Sequence, residues 1–284
     1  MDGGSRRDLK IHSSKGEPTA GKITSMAGSS TYRVRETLLS GKPRNWSLEV
    51  ATLSVAAIQA VSLLAWRNGA ALLPTLAATS EGVLKEREYW RLLTAVAVHA
   101  DVMHVVSNAV FLAFFAYLLF GYFGFWVFPV LGLAMAALTN YFSLLTYPPE
   151  VSLVGASGLV YWMAGFWLSM YLLVERSVNP GKRILRAVCL ALLVLLPSTF
   201  QANVSYRTHA IGLGLGVVSA LVYFQGNRNS VRSAEVVERP TIPRKSRLTE
   251  TQVQATQVFP NTASLSHVPK TRRNQELAEK VTGS

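Results

Sequence analysis

The chain reads as an all-α membrane protein, with six transmembrane helices, a long first loop lying partly in the membrane, and disordered termini. Three observations predict this. Half of the 284 residues are hydrophobic and only 15% are charged, and the mean hydropathy is +0.26; such values belong to a polytopic membrane chain rather than a soluble domain. The charges are segregated, with no Asp, Glu, Lys or Arg from Val102 to Pro149, Val151 to Val174, Ala187 to Tyr206 or Thr208 to Asn227. Stretches of that length suit a hydrocarbon interior of ~30 Å, crossed by ~20 residues of helix. The basic residues gather in the tails, where a membrane protein keeps them.

Taken in order, residues 1–45 are polar, rich in Ser, Gly and Thr, and carry nine Lys/Arg. They lack the short apolar core and small-residue cleavage site of a secretory signal, and read as a disordered basic cytoplasmic tail. A membrane domain follows over 46–225. Its first span is Leu48 to Trp66, with Trp46 and Trp66 as interfacial anchors. The segment from Arg67 to Asp101 holds Lys85, Glu86, Arg87, Glu88 and Arg91, too polar to cross, yet Leu92 to Val98 is apolar. It is expected to lie on or partly in the membrane surface. The remaining spans are Val102 to Phe123, Phe125 to Thr146, Ser157 to Val174, Ile184 to Phe200 and Thr208 to Phe224. Residues 226–284 are polar and basic, with scattered Pro, Ser and Thr, and read as a second disordered cytoplasmic tail.

Six spans put both termini on one side. With the tails and the loop Glu175–Arg186 inside, 23 of the 28 Lys/Arg are cytoplasmic, so the expected orientation is N-in and C-in. The net charge of +12 then suits an anionic inner leaflet. No folded basic domain interleaved with aromatics supports nucleic-acid binding. The single cysteine, Cys189, lies in an apolar run and is read as packing, so no disulfide or cysteine metal site can form within one chain.

The chemistry starts at Gly155-Ala156-Ser157-Gly158. Small neighbours leave the Ser157 hydroxyl unobstructed at the start of a helix whose first N–H groups are unpaired. Ionisable residues inside a membrane are costly, which makes His99, His104 and His209 functional candidates. Asn108, Ser157 and His209 lie 16, 18 and 16 residues from the inner ends of their spans. At ~1.5 Å per residue that is a shared depth of about 24–27 Å. His209, Gly212 and Gly216 share one face of the sixth helix, where glycines admit a close neighbour. That neighbour is the fourth helix, with Tyr161 one turn from Ser157 and able to stack on the imidazole. No carboxylate lies within these helices, which leaves a two-residue Ser-His system rather than a triad. His104 and Asn108, four apart on one face, could donate to an oxyanion together with the Ser157 N–H. Asp101 reads as the N-cap of the second span.

The set Trp90-Arg91, His99-x4-His104-x3-Asn108, Gly155-Ala156-Ser157-Gly158-x2-Tyr161 and His209-x2-Gly212-x3-Gly216 resembles the rhomboid family of intramembrane serine proteases. The resemblance spans about Trp46 to Phe224. It implies a six-helix core that cuts membrane-embedded substrates without a metal or cofactor, using Ser157 as nucleophile and His209 as base. It also implies His104 and Asn108 at the oxyanion site, Trp90-Arg91 structuring the first loop, and Tyr161 supporting the histidine. His99, Gly155, Gly158, Gly212 and Gly216 complete the structural support. Two positions depart from the family pattern. Gly121-Tyr122-Phe123-Gly124 stands where many relatives carry a Glu before a glycine, and Thr208 stands where Ala is common.

The expected function is hydrolysis of peptide bonds in or near a substrate's transmembrane helix, favouring helix-weakening residues and a small side chain at the cut. The partners are then transmembrane protein substrates and the lipid bilayer. The expected location is a bacterial inner membrane, with the active site open to the outer side. Two other readings use the same residues. One is a non-catalytic rhomboid-like module that binds client helices; the other is a transporter or metal site built from His99, Asp101, His104 and His209.

Overall fold

The computed structural model describes residues 32–68, 72–199 and 205–238. Most of them are helical. Helix α1 (Ser47–Arg67) is followed by the short α2 (Leu72–Leu76), a π turn at Glu81–Lys85 and α3 (Arg91–Ala97). Then come α4 (Val102–Phe123), a π-helical turn at Trp126–Leu131 leading into α5 (Gly132–Thr146), α6 (Ser157–Val174), α7 (Pro180–Thr199) and α8 (Tyr206–Ser233). The described residues also include a 3-10 turn at Leu38–Ser40 and four short strands: β1 (Arg33–Glu36), β2 (Ala78–Thr79), β3 (Ser152–Leu153) and β4 (Val236–Glu238).

Among the described residues, five helical stretches are long and apolar enough to cross a membrane: Ser47–Arg67, Val102–Phe123, Trp126–Thr146, Ser157–Val174 and Tyr206–Ser233. The expected fifth span falls in α7, a 20-residue helix that carries Lys182, Arg183 and Arg186 in its first two turns. Those charges keep it out of the apolar set. Its exposed Ile184, Leu185, Val188, Leu192 and Leu193 nevertheless give it a broad apolar surface. Cys189, read from sequence as packing, is exposed on this helix.

The centre of the bundle is α6. Trp162, Met163, Phe166 and Met170 are fully buried along it, because α4, α5, α7 and α8 surround it. Its closest partner is α8. A Cβ on Gly212 would stand 2.5 Å from the Gly158 carbonyl oxygen, and one on Gly216 would overlap the Trp162 carbonyl. Only glycine lets the two backbones approach this far.

The described part of the connection between α1 and α4 is folded. β2 pairs antiparallel with β3, Ala78 opposite Leu153 and Thr79 opposite Ser152. Asn140 of α5 is buried and donates to the Leu92 carbonyl of α3 at 2.9 Å.

Two boundaries differ from expectation. The sixth span continues as helix past Gln225 to Ser233, and Val236–Glu238 then pairs antiparallel with Arg33–Glu36. Arg35 and Glu238 form an ion pair of 2.7 Å across those strands. Structure therefore reaches into both segments expected to be disordered tails, since helical hydrogen bonding does not stop where hydropathy does. The rest of each tail, 1–31 and 239–284, lies outside the described residues.

Candidate active site

Three helices begin at one end of the bundle, and each places a polar group in its first turns. Asp101 starts α4, its carboxylate accepting from the His104 backbone N–H at 2.8 Å. This cap sets the register that puts His104 and Asn108 on one face. Ser157 is the first residue of α6, and His209 lies in the first turn of α8.

The residues before α6 are held tightly. Gly155 has φ +110, a left-handed conformation that glycine adopts without strain. Its N–H donates to the Ala95 carbonyl at 2.8 Å. A side chain there would also lack room, since a Cβ would stand 2.8 Å from His104 Cε1. The next N–H, of Ala156, donates to His99 Nε2 at 3.2 Å.

His99 is fully buried. Because Nε2 accepts, the ring proton must reside on Nδ1, which faces Ser62 Oγ at 3.0 Å. Ser62 in turn donates to the Ala97 carbonyl at 2.9 Å, and Trp66 Nε1 donates to the His99 carbonyl at 2.8 Å. Burial, the largest cause, with the nearby His104 adding to it, pushes the His99 pKa down to about 3. The ring stays neutral and serves as a post between α1, the first loop and the Ser157 turn. His104 meets it edge-on, with ring centroids 5.1 Å apart.

Around His209 the contacts are of another kind. Its imidazole stacks on Tyr161, centroids 3.9 Å apart and planes 10° from parallel. The Tyr161 hydroxyl donates to the Val194 carbonyl of α7 at 3.3 Å. His209 Nδ1 is buried with no hydrogen-bond partner, and so is Asn108 Nδ2. Buried polar atoms are ordinarily satisfied, and these two orphans lie at the same end of the bundle. Beside them, Thr208 Cγ2 lies 3.2 Å from where a Gly158 Cβ would be. Ser157 is half-buried next to that contact.

Arg91, stacked on Trp90, ties parts of the first loop together. The Arg91 guanidinium sits 4.8 Å from the Trp90 ring centre. It donates to Glu88 Oε2 at 2.5 Å, to the Pro74 carbonyl at 2.9 Å and to the Thr75 carbonyl. One side chain thus collects carbonyls left over by the short α2.

The structure brings His104, Gly155, Ser157, Gly158, Tyr161, Thr208 and His209 to one end of the bundle, and His99 backs the Ser157 turn. Among the described residues, no three His, Cys, Asp or Glu side chains gather into a group that could hold a metal. Sequence reasoning did not single out Ser62 or Asn140. Each is a small polar residue within an apolar helix, a signal shared with many packing positions.

Fold and site define a polytopic helical membrane protein with serine, histidine and asparagine side chains at one end of its bundle. Residues 86–226 match the Rhomboid domain, and the chain belongs to the rhomboid family. It is 26% identical over 168 residues to the Bacillus subtilis (strain 168) protein named "Putative rhomboid protease YdcA", covering 59% of this chain and 80% of that one.

Proposed function

We propose that the protein is an intramembrane serine endopeptidase that cuts transmembrane proteins in or near their membrane helices, using a Ser157–His209 dyad. The observation that carries the proposal is the placement of His209. Its ring is stacked on the helix that Ser157 begins, while the turn before it packs on Gly158. The name of the Bacillus subtilis relative points the same way.

In this reading His209 takes the proton from the Ser157 hydroxyl as its oxygen attacks the scissile carbonyl carbon. The tetrahedral oxyanion is met by Asn108 Nδ2, His104 and the Ser157 N–H. Collapse breaks the C–N bond, the amine leaves with the proton held by His209, and the acyl group stays on Ser157. Water, deprotonated by His209, then releases the acid product and restores the serine. Among the described residues no carboxylate orients the imidazole; the Tyr161 ring takes that part. A membrane domain over 46–225, N-in and C-in with the site toward the outer face, completes the proposal. It is supported by the gathering of Lys/Arg in the tails and the Glu175–Arg186 loop.

The test is cleavage of a transmembrane peptide in proteoliposomes. Ser157→Ala and His209→Ala should each abolish it while leaving a folded protein. Full activity in either variant would reject the dyad, and a protein that binds client helices but never cuts them would favour a non-catalytic module.

A further inference from the structure

His209 sits in the first turn of α8 and has no hydrogen bond on Nδ1. Helix ends fray, so a stacked ring there is only as well placed as the backbone beneath it. The structure holds that turn from the side of α5.

The Tyr147 hydroxyl, just past α5, lies 2.8 Å from Ser205 Oγ, and Ser205 Oγ lies 2.5 Å from Thr208 Oγ1. From the same turn, Arg207 donates to the Thr146 carbonyl and rests 5.1 Å from the centre of the Tyr147 ring. The His209 N–H donates to the Ser205 carbonyl at 3.1 Å. Ser205 is at the N-cap, where a serine ordinarily turns its oxygen to the helix N–H groups. Here it makes no such bond; its hydroxyl is committed to Tyr147 and Thr208. Thr208 is buried and divided between two tasks. Its hydroxyl bonds Ser205, which is itself bonded to Tyr147 just past α5, and its methyl packs beside Gly158, next to Ser157.

We propose that Tyr147, Ser205 and Thr208 are positioning residues that pin the first turn of α8 and so fix the His209 imidazole relative to Ser157. The proposal rests on the dyad reading. None of the three touches the reacting atoms. An alanine at position 208 would supply neither the hydroxyl nor the methyl, so the threonine belongs to this way of holding the helix.

The experiment compares wild type with Tyr147→Phe, Thr208→Val and Thr208→Ser in proteoliposomes. It reads kcat and KM on a transmembrane peptide, and the rate at which a fluorophosphonate labels the protein. Tyr147→Phe keeps the ring under Arg207, and Thr208→Val keeps the shape. Each should lower kcat and labelling rate about tenfold with KM within about twofold, as small displacements of a catalytic group do. The double variant should be no worse than the poorer single one, and Thr208→Ser, which keeps the hydroxyl, should retain most of the rate. Wild-type kcat and labelling in both Tyr147→Phe and Thr208→Val would overturn the cluster while leaving the dyad intact. A loss in Thr208→Ser with wild-type rates in Thr208→Val would overturn it in favour of simple packing. Should Thr208→Val fail to accumulate, Tyr147→Phe decides alone. If wild type itself shows no His209-dependent labelling, the dyad falls and the cluster with it.

Discussion

The imidazole of His209 lies flat against the phenol of Tyr161, 3.9 Å between ring centres and 10° from parallel. Among the described residues no carboxylate partners the histidine, and under the proposed dyad this stack does the orienting that a hydrogen bond does elsewhere. Tyr161→Phe keeps the face of the ring and should retain most activity. Tyr161→Leu removes it and should lower kcat about 10- to 100-fold with a smaller change in KM. Steady-state cleavage of a transmembrane peptide by the two variants checks this.

The unpartnered Asn108 Nδ2 is assigned to the oxyanion. Removing one such donor costs about two to three orders of magnitude in turnover. Asn108→Ala should therefore lower kcat by about that factor and leave substrate affinity nearly unchanged. Equal loss of affinity and turnover would point to a binding role instead.

The α6–α8 contact predicts a pattern among three glycines of one helix. Gly212 and Gly216 face the backbone of α6, whereas a Cβ on Gly214 would meet nothing within 4 Å. Gly212→Ala and Gly216→Ala should each destabilise the protein by about 1–3 kcal/mol through overpacking. Gly214→Ala should be neutral or slightly stabilising, since alanine is favoured over glycine within a helix. Denaturation midpoints in detergent provide the measurement.

His99 predicts a pH dependence of stability. Its pKa falls from 6.5 in the unfolded chain to about 3 in the folded protein. Between those values the unfolded state holds the extra proton, so acidification favours unfolding. The contribution of neutral His99 is complete above pH 6.5 and is lost as the pH falls toward 3. From pH 7 to 4.5 the loss is on the order of 2 kcal/mol. The unfolding midpoint of wild type should therefore drop more over that interval than that of His99→Asn.

Much of this arrangement was legible in the sequence. The limits of α4 and α6 coincide with the expected spans because charge or capping marks them sharply: Asp101 before α4, and Glu175 after α6. The end of α8 was not legible. Gln225 to Asn229 are polar enough to end an apolar run, and Gly226, Asn227 and Asn229 are poor helix formers, yet the helix continues to Ser233. Hydropathy reports where a bilayer would end, and a helix can outlast it. The β1–β4 pairing joins residues some 200 positions apart, with no local pattern to announce it. The candidate site divides in the same way. His209, Gly212 and Gly216 follow from helical spacing, whereas the post made by His99 and Ser62 depends on how two distant segments pack. Thr208 was visible only as a departure from the family pattern, and its link to Tyr147, made through Ser205, joins segments distant in sequence.

The most direct measurement of the central claim is the site and dependence of a covalent adduct. Purified protein treated with a fluorophosphonate and digested for mass spectrometry should carry the label on Ser157. Labelling should be lost in His209→Ala, though the variant remains folded. Label on another residue, or undiminished labelling of Ser157 without His209, would contradict the account.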